Sequence, residues 1–110
     1  MDLRAALLAD RASTANRIAA LTADLEAIVE ASRLVATDDE HDPEGSTIAF
    51  ERSQTTTFLE DAHKHLANLD DALGRLDADD YGRCETCGKP IAVGRLLARP
   101  TARTCIDCAT

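Results

Sequence analysis

The sequence contains very few aromatic residues and no long apolar run. Phe50, Phe58 and Tyr81 are the only aromatic side chains among 110 residues, and tryptophan is absent. A broad core is therefore not expected, and alanine, leucine, isoleucine and valine must supply the packing. No segment approaches the roughly 20 apolar residues of a membrane span. Charged residues also interrupt the N-terminal segment, so no signal peptide is recognisable and a cytoplasmic protein is predicted.

Basic residues are scarce relative to acidic ones. The chain has 12 Lys and Arg residues against 20 Asp and Glu residues, which gives a formal net charge of −8. Residues 37–80 carry −10, whereas residues 1–36 carry −1 and residues 81–110 carry +3. Phosphate backbones and anionic membranes repel such a chain, so non-specific binding to nucleic acid or to lipid is not expected.

Glycine and proline are absent between residue 3 and about residue 35, where alanine, leucine and arginine dominate. These residues favour one long helix. Apolar residues recur in it at the seven-residue spacing of a coiled-coil seam: Ile18, Leu21, Leu25, Ile28 and Val35. Towards the N-terminus the series meets polar Thr14 and Arg11 before it reaches Leu7, so the packing of this end is less clear from the sequence.

An acidic break follows at about residues 37–46, where Pro43 removes a backbone donor and Gly45 tolerates any dihedral. A second long helix is predicted from about Thr47 to Leu76. Its seam positions form two interleaved series: Leu59, Leu66 and Leu73, and Ile48, Thr55, Ala62, Leu69 and Leu76. Two matched seams joined by a short break favour an antiparallel helical hairpin with an acidic tip. Pairing with another chain is the alternative, but the break favours a monomer.

All four cysteines lie near the C-terminus, in two Cys-x2-Cys motifs: Cys84 with Cys87, and Cys105 with Cys108. Four thiolates at this spacing predict a tetrahedral zinc site, and a full set of protein ligands makes the zinc structural. A thioredoxin-like redox pair would require a βαβ context that is absent here. An iron–sulfur cluster stays open, because it uses the same ligands.

The segment around these cysteines is too short to build a core alone. Bound zinc, worth about 10–16 kcal/mol in apparent binding energy, must therefore supply most of its folding energy. Ile91, Leu96 and Leu97 are predicted to cover the apolar side of the site. The expected organisation is mainly α: a helical hairpin over residues 1–78, followed by a four-cysteine zinc finger over residues 79–110.

The residues of this finger form a dense and specific pattern. It comprises Tyr81-Gly82-Arg83-Cys84-Glu85-Thr86-Cys87-Gly88, Ile91, Arg95-Leu96, Ala98-Arg99-Pro100-Thr101-Ala102 and Cys105-Ile106-Asp107-Cys108. This pattern closely resembles the DksA/TraR family of bacterial zinc-finger proteins, and the preceding hairpin fits the same architecture.

The resemblance implies a partner, since members of that family bind RNA polymerase rather than DNA. It implies that the hairpin enters the secondary channel of the polymerase with its acidic tip near the catalytic Mg²⁺. The family tip reads Asp-x-x-Asp-x-Ala; Asp42 matches its first acid, whereas Gly45 and Thr47 stand at the second acid and the alanine. Glu44 is the carboxylate that can replace the missing acid, so Asp42 and Glu44 are the predicted partner-binding residues.

The family also binds the alarmone ppGpp together with polymerase, through basic residues of the second helix and the finger. Arg99 matches the finger position, but Asp61, Asn68 and Ala109 stand at the other basic positions. The resemblance therefore gives little support for a response to ppGpp.

Taken together, these patterns predict a regulator of transcription initiation that acts through RNA polymerase. No nucleophile–base set and no phosphate-binding glycine loop is present, so an enzyme is not expected. The alternative is a zinc-finger adaptor, or a DNA-binding protein, that does not act through the polymerase channel.

Overall fold

The chain folds into two long helices followed by a small finger. A computed structural model describes residues 2–35 and 43–109, with side chains for all of these except 35 and 43–46. Within those ranges, α1 spans Leu3–Val35, α2 spans Pro43–Asp77, α3 spans Val93–Ala98, and a 3-10 helix spans Ile106–Cys108. The same ranges contain an isolated antiparallel bridge between Arg83 and Pro90 but no strand. None of the described helices could cross a membrane.

The predicted mainly α fold, a long antiparallel helical hairpin followed by a four-cysteine finger, is confirmed. The bounds of α1 agree with the segment that lacks glycine and proline. Helix α2 begins at Pro43, four residues before the predicted start, so residues 43–46, which were predicted to belong to the acidic break, are helical instead. Proline is well suited to the first turn of a helix, where a backbone N–H has no intrahelical acceptor.

Helix α2 ends in a left-handed turn at Asp79, whose φ is +58°. The N–H of Asp80 donates to the carbonyl oxygen of Arg75 at 2.8 Å, and the N–H of Asp79 donates to that of Leu76 at 3.3 Å. This is the Schellman pattern, which satisfies the last carbonyls of a helix. Glycine usually occupies the left-handed position; aspartate is one of the few residues that tolerate it.

The chain divides into two compact units: Thr14–Lys64, and Met1–Ser13 together with His65–Thr110. In the first unit, the predicted seam is confirmed by burial. Ala62 is buried, and the other seam positions are half-buried: Ile18, Leu21, Leu25, Ile28, Ile48, Thr55 and Leu59. Small and polar residues thus occupy several positions that face the neighbouring helix. The predicted division between residues 78 and 79 stays a prediction.

In the second unit, the start of α1 packs against the end of α2. Leu7 and Leu69 are fully buried in one apolar cluster with Ala72. Ion pairs join Arg4 to Asp77 and Arg11 to Asp70. The later residue of α1 therefore pairs with the earlier residue of α2, as expected for antiparallel helices.

The N-terminal end of α1, where the sequence pattern is less clear, is well packed. Leu7 is completely buried, and Thr14, which looks polar in the sequence, is also buried at 6% exposure. A threonine methyl group fits an apolar seam, and its hydroxyl can bond within its own helix.

Candidate metal centre

The four cysteines converge on one point of the finger. Their sulfur atoms all lie within 4.8 Å of one another, although the two pairs are separated by a long stretch of sequence. Cys84 is almost completely buried, Cys105 and Cys108 are half-buried, and Cys87 is exposed. The sequence therefore predicted correctly which side chains come together.

The first cysteine turn is closed by two backbone hydrogen bonds of Cys84. The N–H of Cys84 donates to the carbonyl oxygen of Lys89 at 2.8 Å, and the N–H of Gly88 donates to that of Cys84 at 2.9 Å. Gly88 has a φ of +75°, a conformation that glycine adopts without steric cost. These bonds bend the chain so that Cys84 and Cys87 point to the same side.

The second cysteine turn is a single turn of 3-10 helix. The N–H of Cys108 donates to the carbonyl oxygen of Cys105 at 3.1 Å, which places the two thiols on one side of the turn. A further bond, from the N–H of Glu85 to the carbonyl oxygen of Arg103 at 2.9 Å, ties the two cysteine turns together. Backbone hydrogen bonds thus bring the two cysteine pairs together without the help of a bound ion.

The donor set fits a tetrahedral zinc ion. Zinc–sulfur bonds of about 2.3 Å in a tetrahedron require sulfur atoms about 3.8 Å apart. The Cys87 and Cys105 sulfurs are 3.8 Å apart, far beyond a disulfide bond, and all four cysteines are free thiols. Within the described residues, this is the one cluster of at least three His, Cys, Asp or Glu side chains with suitable spacing.

Electrostatics in the cluster favour a cation. Hydrogen bonds from backbone N–H groups, first that of Cys105 and then that of Cys87, lower the pKa of Cys84 to about 6. The pKa of Cys108 is instead raised to about 12, mainly by its hydrogen bond with the Cys105 sulfur and then by burial. Without a metal, the cluster therefore keeps a proton on Cys108 that a bound divalent cation would displace.

An apolar cluster supports the site from behind. Cys84, Ile91 and Leu96 are its buried members, and Leu3 and Tyr81 pack against them. Ile91 and Leu96 were predicted to cover the site; Leu97 was also predicted, wrongly, because it is 41% exposed. Adjacent residues of a short helix face different directions, so Leu96 and Leu97 could not both point inward.

Two side chains fix the finger internally and to the end of α2. The role of Tyr81 was missed in the sequence, whereas neutralisation of the acidic helix end by arginines of the finger, Arg103 among them, was expected. The Tyr81 hydroxyl donates to the carbonyl oxygen of Pro100 at 2.8 Å. Arg103 forms an ion pair with Asp71 of α2 at 2.9 Å and a longer one with Glu85 at 3.9 Å. The charge asymmetry between the acidic arm and the basic finger is the one sequence signal that points to such a pairing.

The predicted tip residues are not tested. Asp42 lies outside the described residues, and the side chain of Glu44 is outside the described set as well.

The positions compared with the family's ppGpp site are partly brought together. Asn68, Arg99 and Ala109 line one open cavity of about 350 Å³, which also includes Arg95 and Arg103. Asp61 is exposed in the other unit.

Comparisons with known proteins identify relatives of both parts of the chain. Residues 79–110 match the family model described as prokaryotic dksA/traR C4-type zinc finger. A segment of 47 residues is 49% identical to the RNA polymerase-binding transcription factor DksA of Haemophilus influenzae and 45% identical to that of Escherichia coli. This segment is 43% of the chain but covers only 32% and 31% of those two proteins.

The structural comparison extends much further. The transcription factor DksA2 from Pseudomonas aeruginosa superimposes with a TM-score of 0.80 at 31% sequence identity. The match covers 96% of this chain and 75% of that protein, so it includes the helices as well as the finger.

Proposed function

Because the chain belongs to the DksA/TraR family of four-cysteine zinc-finger proteins, we propose that it is a transcription regulator that binds RNA polymerase. The observation that carries this proposal is the match to DksA2 over 96% of the chain. The curated relatives that match 47 residues of the chain are described as RNA polymerase-binding transcription factors. Such a protein acts in the cytoplasm, and we propose no catalytic activity for it.

We further propose that the hairpin enters the secondary channel of the polymerase and modulates initiation. Residues 37–80 carry a formal charge of −10, and carboxylates on a long helical arm complement a cationic, metal-containing pocket. The same charge disfavours phosphate backbones, which supports a protein partner rather than DNA. Asp42 and Glu44 are the proposed contact residues at the tip.

The proposed role of zinc is structural. Cys84, Cys87, Cys105 and Cys108 are the proposed ligands, and four protein ligands leave no coordination position for substrate or water. When bound, the ion cross-links the two cysteine turns and stabilises the finger. The cross-linked turns then keep the apolar cluster of Cys84, Ile91 and Leu96 buried.

The test is direct binding of the zinc-loaded protein to core RNA polymerase, followed by transcription in vitro. The wild type is compared with an Asp42→Asn, Glu44→Gln double variant. An Asp24→Asn, Glu26→Gln variant is the matched control, because it removes the same charge from two exposed positions of α1. We expect all three to bind polymerase, and only the tip variant to lose its effect on transcription.

Each other result has a defined meaning. Failure of the wild type to bind polymerase overturns the proposal and favours a zinc-finger adaptor. Binding to a promoter fragment without polymerase favours the DNA-binding alternative. Equal effects of the wild type and the tip variant would mean that occupation of the channel, rather than the tip carboxylates, changes initiation.

A further inference from the structure

Both phenylalanines of the chain lie on the surface of α2. Phe50 is 67% exposed and Phe58 is 41% exposed, in the unit formed by Thr14–Lys64. Phenylalanine is among the residues most often buried, so two exposed copies in a chain with three aromatic residues require an explanation. With Gln54 between them, they follow i, i+4, i+8 spacing, which places them along one side of the helix.

Neither phenylalanine occupies one of the seam positions of the hairpin. The seam positions of the same helix segment are Ile48, Thr55, Leu59 and Ala62, which are half-buried or buried. Threonine and alanine therefore stand where a phenylalanine would bury more apolar area. Phe50 is about 200° around the helix from Ile48, on the side that faces away from the seam.

The segment of α2 between Arg52 and Glu60 is uncharged for about two helical turns. Residues 53–59 contain no charged side chain, although charged residues make up 29% of the whole chain. An open groove of about 470 Å³ runs along the adjoining side of α2, and it is lined by Ala49, Arg52, Ser53, Thr56, Thr57 and Glu60. Exposed aromatic side chains beside a shallow groove are typical of the centre of a protein-binding surface.

We infer that Phe50 and Phe58 are the apolar anchors with which the hairpin binds RNA polymerase. This inference rests on the proposed function. It adds a surface, separate from the tip, that determines the affinity of the protein for the polymerase. The two phenylalanines lie on the same helix, α2, that begins at Pro43. Glu51, Arg52 and Glu60 flank this surface with a net charge of −1, so the complementary site on the polymerase is an apolar surface with a mainly basic rim.

Charge argues against the other possible occupants of this surface. A second copy of the chain would bring together two arms of −10 each, which repel. An anionic membrane would repel the arm for the same reason. A protein surface of opposite charge is therefore the occupant that fits.

The experiment measures the affinity of zinc-loaded, N-terminally labelled full-length protein for core RNA polymerase from Pseudomonas aeruginosa, by fluorescence anisotropy. Phe50→Gln and Phe58→Gln are each expected to weaken binding about tenfold or more, as loss of a central aromatic contact does. Phe50→Leu and Phe58→Leu are expected to retain most of the affinity. Glutamine keeps the helix propensity, so circular dichroism and thermal unfolding should change little.

The matched control is Val93→Gln, because Val93 of the finger is as exposed as Phe50, at 67%. Binding by the wild type with no loss in either glutamine variant would overturn the inference and leave the proposed function intact. An equal loss in Val93→Gln would also overturn it, since general surface hydrophobicity would then govern binding. If the wild type does not bind at all, the proposed function itself fails. Light scattering that shows a wild-type dimer broken by Phe50→Gln would make a second copy the occupant and overturn the inference.

Discussion

The hydroxyl group of Tyr81 donates a hydrogen bond to the carbonyl oxygen of Pro100 at 2.8 Å, and this bond fastens the entrance of the finger to the loop between its cysteine turns. The ring of Tyr81 packs against two apolar clusters, one built around Leu7 and Leu69 and one around Cys84. Arg75 lies over the same ring, 5.9 Å from its centroid. One side chain therefore connects the helix ends with the metal centre.

Tyr81 should make the stability of the protein sensitive to alkaline pH. Its pKa is raised, mainly by burial and in spite of the nearby Arg75 charge, above the value of about 10 of an unfolded chain. A raised pKa means that the folded state favours the neutral phenol. Its stabilising contribution is therefore fully present below pH about 10 and is lost as the pH rises through the folded-state pKa.

The ionisation can be followed directly, because Tyr81 is the only tyrosine and no tryptophan is present. We expect the tyrosinate absorbance of the zinc-loaded protein to appear at a higher pH than in the urea-unfolded protein. The difference in unfolding free energy between wild type and Tyr81→Phe should shrink over the same pH range. Coincident titrations of the folded and unfolded protein would contradict the assignment.

The sequence was sufficient for features that depend on local pattern. The run rich in alanine, leucine and arginine predicted α1 from Leu3 to about Val35, and the two Cys-x2-Cys motifs identified the side chains that cluster. The start of α2 was missed because Pro43 was read as a helix breaker, although proline also fits a first helical turn. A composition signal alone does not separate these two roles.

Features that depend on distant contacts were not predictable. Leu3 supports the metal centre from a position far from all four cysteines in sequence, and no periodicity connects it to the finger. The burial of Thr14 was missed because hydropathy counts its hydroxyl and not its methyl group. In both cases the three-dimensional packing, rather than the identity of the residue, decides its role.

Removal of zinc should loosen the helix ends as well as the finger. Leu3 of α1 packs on the cluster that contains Cys84. Unfolding of the finger therefore exposes the apolar side of the first turn of α1 to water. With EDTA, we expect amide exchange to accelerate in residues 79–109 and also in the first turns of α1 and the last turns of α2. Residues 18–35 of α1 and 47–59 of α2 should keep most of their protection.

The control for zinc removal is re-addition of metal. Zinc should restore slow exchange, whereas Mg²⁺ should not, because thiolates are poor ligands for it. If the acceleration stops at residue 79, the finger folds independently of the helices, as the predicted division between residues 78 and 79 implies.

The ion pair between Arg103 and Asp71 should contribute measurably to the attachment of the finger. The Arg103 Nη2 atom is 2.9 Å from the Asp71 Oδ2 atom, and the two side chains are 45% and 38% exposed. We expect a coupling energy of about 0.5–1 kcal/mol from a double-mutant cycle with Arg103→Gln and Asp71→Asn, with a decrease in high salt. Urea unfolding of the zinc-loaded protein measures it.

A second ion pair provides the comparison. Arg33 and Glu30 lie 3.3 Å apart within α1, and their side chains are 75% and 63% exposed. A cycle with Arg33→Gln and Glu30→Gln should give a smaller coupling, because exposed pairs are strongly screened. Equal couplings for the two pairs would mean that the Arg103 contact has no special role at the finger.

Asp71→Asn alone should lower the free energy of unfolding more than Arg103→Gln does, since Arg75 Nε also donates to Asp71, at 3.0 Å.

Replacement of Asp79 by glycine should stabilise the end of α2. Asp79 has a φ of +58° in the Schellman turn, a conformation that costs a residue with a Cβ more than it costs glycine. We expect Asp79→Gly to raise the unfolding free energy by about 0.5–1 kcal/mol and Asp79→Val to lower it by about 1–2 kcal/mol, since β-branched residues rarely adopt this conformation. Asp79→Asn is the control, because it removes the charge but keeps a residue that tolerates the left-handed region. If Asp79→Asn stabilises as much as Asp79→Gly, the gain comes from relief of repulsion in the acidic run rather than from the backbone.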